Sequence, residues 1–441
     1  MGGRLGVSMA LHRARRVFAS AERQIELDTA FEVKTADQVA GVLGNMRGAV
    51  MKIGQMASYL DTGVPEAVRE VFAELRQDAP VMSADLAAEV IERELGAAPG
   101  ALFLEWDPVP IAAASIGQVH RAITRDGQAV AVKVQYPGVD KAIEADLANA
   151  GMLFGMLARS LFPGLAPRPL VEEVQARVME ELDYHAEARN QQAFADYYRG
   201  HPAIHIPEVM SELSSARVLT TELAEGARFE ELVTWDQEEK NLAAETIYRF
   251  VYRSLWRMRH FNGDPHPGNY LFQRGGQVTF LDFGLTKIFT AAEVDRFAEM
   301  VDAMAVKKDL PRYRRAIEEA GMLRPNMPFS NEQIWRYFGH FYEFIADDKT
   351  VTITPEWSTR TVKQFFSPAG DLAEIANVSN LPPAFVIIQR INLGLMSILG
   401  ALNARGNYRR IAEELWPWVD GPPSTDLGRA EAAWLASRHP S

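Results

Sequence analysis

Apolar residues recur at Val39, Leu43, Met46, Val50, Ile53, Ala57 and Leu60 in alternating steps of four and three, so one helical face stays apolar for about six turns. Gly63 and Pro65 end this helix. Two shorter ones follow, over about Pro65 to Arg76 and Ser83 to Leu95, the second with Ser83 as its N-cap. The period then changes. Ile116 to Thr124 and Ala129 to Val134 read as strands around Arg125-Asp126-Gly127-Gln128, where Asp-Gly is a strong hairpin signal. A helix over about Lys141 to Leu161, a breaker at Pro163 to Pro169 and a long helix over about Val171 to Tyr198 come next. Short strands around Ile204 to Val209 and Arg217 to Glu222 lead to Gly226. The remainder reads as mainly helical, apart from a strand pair, Tyr270 to Gln273 and Gln277 to Leu281, split by Gly275 and Gly276.

A chain of 441 residues suits two or three domains and can bury a sizeable core. The pattern divides it into a helical extension over 1–105, a strand-rich lobe over 106–225 and a helical lobe over 226–441. The net charge of −12 argues against nucleic acid as the main partner, which would need a dense basic surface. Without cysteine there is no disulfide and no thiolate chemistry, which fits a reducing, cytoplasmic setting. Phe385 to Ile388 and Leu393 to Leu402 are separated by Gln389, Arg390 and Asn392, so they read as core helix and not as a membrane span. The first 23 residues carry five arginines against the single acid Glu22, a composition suited either to a docking helix or to an anionic membrane surface.

The strongest chemical signal is Asp264-Pro-His-Pro-Gly-Asn269 followed by Asp282-Phe283-Gly284. Asn269 lies five residues after Asp264, and Asp282 lies thirteen after Asn269. Protein kinases use the same order and spacing. One carboxylate positions or deprotonates an acceptor, while an amide oxygen and a second carboxylate hold the magnesium that neutralises the phosphates of ATP or ADP. Asp264 takes the first role and Asn269 and Asp282 the second, because hard oxygen ligands suit magnesium. Upstream, Val130, Val132 and Val134 occupy one strand face and leave Lys133 on the other, where a lysine can reach phosphates. Glu187 is its candidate carboxylate partner, although alone it would be a surface helix charge. Setting Val119 at the end of a Gly-x-Gly-x-x-Gly-x-Val loop puts Ala112, Ala114 and Gly117 at the three glycine positions. Two methyl groups then restrict how closely the backbone of Ala112, Ala113, Ala114 and Ser115 approaches phosphate. Glu222, just before Gly226, falls where a hinge would meet adenine; a solvent-facing acid is the competing reading.

Together these residues resemble the UbiB (AarF-domain) family of atypical kinases. Ala112 to Ser115 is similar to its alanine-rich loop, Lys52-Ile53-Gly54-Gln55 to its K-x-G-Q signature, and Glu181, Asp183, Glu187 and Asn190 to its E-x-D and E-A-x-N region. Asp264 to Asn269 is similar to its D-P-H-P-G-N loop. The resemblance covers about residues 35 to 405. It implies a two-lobed protein-kinase-like α+β fold with an N-terminal helical extension and a mainly helical C-lobe. It also implies that Lys52 and Gln55 approach Glu181 and Asp183 over the nucleotide cleft, and that the protein acts near membranes on isoprenoid lipids such as quinones.

Two departures stand out. The family commonly has His two residues before the loop Asp, and this chain has Asn262. No A-P-E element follows Asp282 closely; Thr354-Pro355-Glu356 lies 72 residues on. The readings in competition with an atypical kinase or ATPase are a small-molecule phosphotransferase of the aminoglycoside-kinase type and a nucleotide-dependent, lipid-binding pseudokinase scaffold.

Overall fold

The computed structural model describes residues 82–114, 116–139, 182–263, 265–366, 372–380 and 382–438. The predicted helices over Val39 to Leu60, Pro65 to Arg76 and Lys141 to Leu161 lie outside the described residues, as do Lys52, Gln55, Ser115, Glu181 and Asp264.

The described chain opens with α1 (Ala84–Leu95) and the single turn α2 (Pro99–Leu102), then β1 (Phe103–Trp106), β2 (Ala112–Ala114), β3 (Gly117–Thr124) and β4 (Ala129–Gln135). After α3 (Tyr184–Tyr198) come β5 (Ile204–His205), β6 (Val218–Glu222), α4 (Phe229–Leu232) and α5 (Gln237–Arg253). The strands β7 (His260–Asn262), β8 (Tyr270–Gln273), β9 (Gln277–Phe280) and β10 (Thr286–Ile288) follow. The rest is α6 (Ala291–Val301), α7 (Leu310–Glu319), α8 (Asn331–Phe338), β11 (Val351–Ile353), α9 (Pro355–Phe366), α10 (Leu372–Val378), α11 (Pro383–Ala401), β12 (Ala404–Gly406), α12 (Tyr408–Leu415) and α13 (Asp426–Arg438).

The chain divides into two compact units. One comprises Met1–Ala101, Trp106–His120 and Lys133–Leu182; the other comprises Leu102–Glu105, Arg121–Val132 and Asp183–Ser441. In the first, α1 starts where predicted: the Ser83 hydroxyl accepts the Leu86 N–H at 3.3 Å, and Gly96 closes the helix at φ +79°. Its buried residues Ala87, Val90 and Ile91 fall on one helical face. Within this unit β2 pairs antiparallel with the start of β3, Ala112 opposite Val119 and Ala114 opposite Gly117.

The second unit holds the large core, from Phe194 through Phe250, Phe280 and Leu395 to Trp434. Helix α11 is long and apolar enough to cross a membrane, with mean hydropathy 1.6 over Ala384–Ala401, yet 72% of that stretch is buried inside the protein. Ile391, Leu395 and Leu399 are fully enclosed, the pattern of a core helix.

Three sequence expectations are corrected. Of the helix predicted over Val171 to Tyr198, residues 171–181 lie outside the described ones, and the described part does not run through Asp183: that residue is extended (φ −107°, ψ 94°) and its carboxylate accepts the His185 N–H, so the helix begins at Tyr184. The strand expected over Ile204 to Val209 contracts to Ile204–His205, because Pro207 offers no N–H to a ladder. Four three-residue strands, β7, β10, β11 and β12, interrupt the region read as mainly helical. They pair with partners far along the chain, and three residues carry too little periodicity to announce a strand.

Candidate functional site

The site in the second unit is built on the β8–β9 hairpin. Gly275 and Gly276 turn it at φ +78° and +77°, and the register sets Tyr270 opposite Phe280 and Phe272 opposite Val278. The Leu281 N–H extends the ladder by one step, donating to the Asn269 carbonyl at 2.9 Å. Asn269 and Asp282 therefore stand at neighbouring positions where the hairpin opens. The Asp282 carboxylate accepts the Gly284 N–H at 3.0 Å through Oδ1, which fixes its rotamer in a short local turn.

A second pairing binds the loop to the same segment. Strand β7, just before Asp264, runs antiparallel to β10, just after Gly284, with Asn262 opposite Thr286 and His260 opposite Ile288. The Gly263 N–H donates to Leu285 O at 2.7 Å, and Asn262 Nδ2 donates to Asp282 O at 2.7 Å. Asn262 thus ties its own strand to the backbone of Asp282 directly. On the other side of position 264, the His266 ring accepts the Gly268 N–H through Nδ1 at 3.0 Å and lies so close that a Cβ on Gly268 would sit 2.9 Å from it. The Asn269 N–H closes a 3₁₀ turn on His266 O at 2.9 Å. Pro265 is buried against α11, where a Cβ on Gly394 would come within 2.5 Å of the proline ring.

Helix α3 packs on Phe283. The rings of Phe194 and Phe283 are 5.0 Å apart, Phe194 also meets His260 at 4.7 Å, and the Asn190 amide donates to Phe283 O at 3.3 Å. Glu187 lies on this helix with 4% exposure, so it is not the solvated surface charge that its sequence alone suggests. Asp183 caps the helix and is exposed. Glu222 ends β6: its Oε2 lies 3.3 Å from His205 Nε2, and its N–H donates to Glu208 O. Next to it, Leu223 N–H is bonded to Ala129 O at 3.0 Å.

In the first unit Ala112, Ala113 and Ala114 form a strand, paired antiparallel with Val119, Gln118 and Gly117 respectively. Gly117 is required by packing: a Cβ there would sit 2.2 Å from Val134 O in the neighbouring strand. Lys133 is half-buried in β4 between the fully enclosed Val132 and Val134. Gln118 is held by Met82, donating to its carbonyl at 3.3 Å and accepting its N–H at 3.0 Å.

The site residues therefore fall into two sets. Asn269, Asp282, Glu187, Asp183 and Glu222 belong to one unit, Lys133, Gly117 and the alanines to the other. Sequence reasoning missed Gly263, Gly394 and the cross-pairing of β7 with β10. A lone glycine in the apolar run Leu393-Gly394-Leu395 was the available signal, since helical glycine usually marks a close approach. Among the described residues no three His, Asp or Glu side chains cluster as a self-sufficient metal cage. One carboxylate and one amide suit magnesium, which takes few protein ligands and completes its shell with phosphates and water.

A family profile described as ABC1 atypical kinase-like domain matches residues 74–316, more than half of the 441. The mitochondrial atypical kinase COQ8B of Rattus norvegicus is 35% identical over 61% of this chain and 51% of its own. The mitochondrial atypical kinase COQ8 of Saccharomyces cerevisiae is 31% identical over 64% and 56%. An uncharacterised chloroplastic aarF domain-containing protein kinase of Arabidopsis thaliana is 31% identical over 90% and 55%. The chain spans about half the length of these curated relatives. The solved structure of the complex of Rv3197 with erythromycin from Mycobacterium tuberculosis superposes with a TM-score of 0.65 at 29% identity, covering 90% of this chain and 100% of that one. With the profile enclosing both the loop before Asn269 and the Asp282-Phe283-Gly284 segment stitched to it, the chain belongs to the ABC1 atypical kinase-like, or UbiB, family and has its two-lobed α+β kinase-like fold.

Proposed function

We propose that the protein binds ATP with magnesium and acts as an atypical kinase or ATPase in isoprenoid-lipid, quinone-type metabolism at a membrane surface. The observation that carries the nucleotide part is the double stitch of Asn262 to Asp282 and of Asn269 to Leu281. It ties the backbones of Asn269 and Asp282 at adjoining positions of one hairpin, which supports the reading that the two share one magnesium. Asn269 and Asp282 would hold the magnesium, which when bound neutralises phosphate charge. Asp264 orients an acceptor hydroxyl or water and takes its proton. Lys133 contacts the phosphates, Glu187 positions Lys133, and the Ala112 to Gly117 hairpin covers the nucleotide. Glu222 marks the hinge strand, while Lys52, Gln55, Glu181 and Asp183 regulate access. The lipid assignment is supported by the names of the relatives, two of them COQ8 kinases.

Thermal shift with magnesium and ATP tests the first part: the wild type should gain stability and Asp282→Asn should lose that gain. A wild type that ignores both ligands would refute the reading. ATP turnover with and without anionic liposomes tests the membrane part, where equal rates would count against it.

A further inference from the structure

The last turn of α3 has carbonyls that its own helix cannot satisfy, and another helix satisfies them. The Arg438 guanidinium of α13 donates to Tyr197 O and to Asp196 O, the latter at 3.2 Å. Trp434 Nε1 of α13 donates to Arg199 O at 3.1 Å. A cation at a helix C-terminus also opposes the negative end of the helix dipole. Trp434 is buried, stacks parallel to Tyr198 and meets His201 edge-on at 4.7 Å.

The other half of α13 is anchored elsewhere. Glu431, 2% exposed, accepts from Arg253 Nε at 2.7 Å and Arg249 Nη1 at 2.8 Å, both on α5, and from His201 Nε2 at 3.1 Å. His201 Nδ1 accepts the Ala203 and Ile204 N–H groups, so its proton sits on Nε2, facing Glu431. Gly428 leaves no room for a Cβ against Glu414 and Arg249. The helix is thus clamped to α5 along one turn and grips the end of α3 with the next.

We propose that Trp434 and Arg438 are positioning residues, holding α3 in the register that places Glu187 and Asn190. Neither touches Phe283; each acts through the end of the helix whose middle does. This inference rests on the nucleotide reading for its consequence, though not for its geometry.

The test uses the full chain as wild type, Trp434→Phe, Arg438→Ala and Arg438→Lys. Phe keeps an aromatic ring in place and removes the N–H donor together with part of the indole, while the Arg438 variants leave the ring packing whole. Amide hydrogen exchange is followed over 184–198 with 237–253 as the internal reference, and ATP turnover is followed against nucleotide concentration. Trp434→Phe and Arg438→Ala should speed exchange in the last turns of α3 by about five- to tenfold and leave α5 at the wild-type rate. They should lower kcat by about two- to tenfold with a smaller change in KM, and Arg438→Lys should restore most of both. Wild-type exchange in α3 for both variants overturns the proposal, as does faster exchange with unchanged kcat in an active protein. A wild type without turnover would defeat the nucleotide reading and leave the exchange comparison to decide this one.

Discussion

The Asn190 side chain donates to the Phe283 carbonyl at 3.3 Å, and one turn further along the same helix Phe194 packs its ring against that of Phe283. The helix bearing the buried Glu187 is thereby fixed to the residue that follows Asp282 by one polar and one apolar contact. Their energies differ. Asn190 is half-buried, so Asn190→Ala should cost about 1 kcal/mol, the net worth of an ordinary hydrogen bond. Phe194 is fully enclosed among Phe250, His260 and Phe283, and Phe194→Ala should cost about 3 to 5 kcal/mol through lost burial and the cavity left behind. Urea unfolding measures both; equal costs would show that the aromatic contact does not dominate.

Asn262 Nδ2 donates to the Asp282 carbonyl at 2.7 Å in a position only 7% exposed. Asn262→Ala removes the donor and should cost about 1 to 2 kcal/mol. Asn262→Asp replaces the donor by an oxygen facing an oxygen and should cost more than Ala, although its shape is closer to Asn. Thermal denaturation of the two variants checks the order. If Asp proves milder than Ala, the Asn262 side chain does not serve as a donor to the Asp282 carbonyl.

Local chemistry was legible where it repeats over several residues. Ser83 as an N-cap, the Asp126-Gly127 turn between β3 and β4 and the paired glycines of the β8–β9 turn all stand where the sequence puts them, because each is decided by its immediate neighbours. The loop spacing from Asp264 to Asp282 also pointed to the family to which the chain belongs. What the sequence could not show is how those segments are joined. The β7–β10 ladder is three residues long and 23 residues lie between its strands, so no local pattern encodes it. Gly117 is instructive in the other direction. It reads as a phosphate-loop glycine, but the 2.2 Å approach of Val134 O to its missing Cβ would by itself demand glycine there. The break at Asp183 was hidden because a cap and a helical surface acid look alike until the backbone turns.

Among the described residues four histidines are pushed toward their neutral form by burial: His120, His201, His260 and His340, the last down to about 4, with the Tyr337 carbonyl at 2.5 Å opposing the shift only in part. The unfolded chain takes up these protons near pH 6.5, whereas the folded protein resists until lower pH. Unfolding therefore binds protons in this window, and stability must fall as pH falls from about 7 toward 4. For His340 alone the loss between pH 7.5 and 5 is on the order of 2 kcal/mol. Urea midpoints at the two pH values, for wild type and His340→Gln, test this: the wild type should lose more than the variant. An equal loss in both would exclude His340 as a source of the acid sensitivity.

At Gly394 two effects of known size oppose each other at one atom. In a helix interior, alanine is ordinarily better than glycine by about 0.5 to 1 kcal/mol, so Gly394→Ala in α11 would stabilise if propensity ruled. The added Cβ, however, would stand 2.5 Å from the Pro265 ring and 3.1 Å from the Pro265 carbonyl. A proline ring cannot rotate away, so either α11 or the loop must move, and overpacking of this kind costs about 1 to 3 kcal/mol. The clash should win. The loop is the shorter element, and the movement would be felt next to Asp264 before it is felt in the core. Gly394→Ala should therefore lower the melting temperature and lower ATP turnover by a larger factor than its stability loss accounts for at a temperature where the variant is fully folded. Higher thermal stability with unimpaired turnover would mean that Pro265 does not seat the loop on α11.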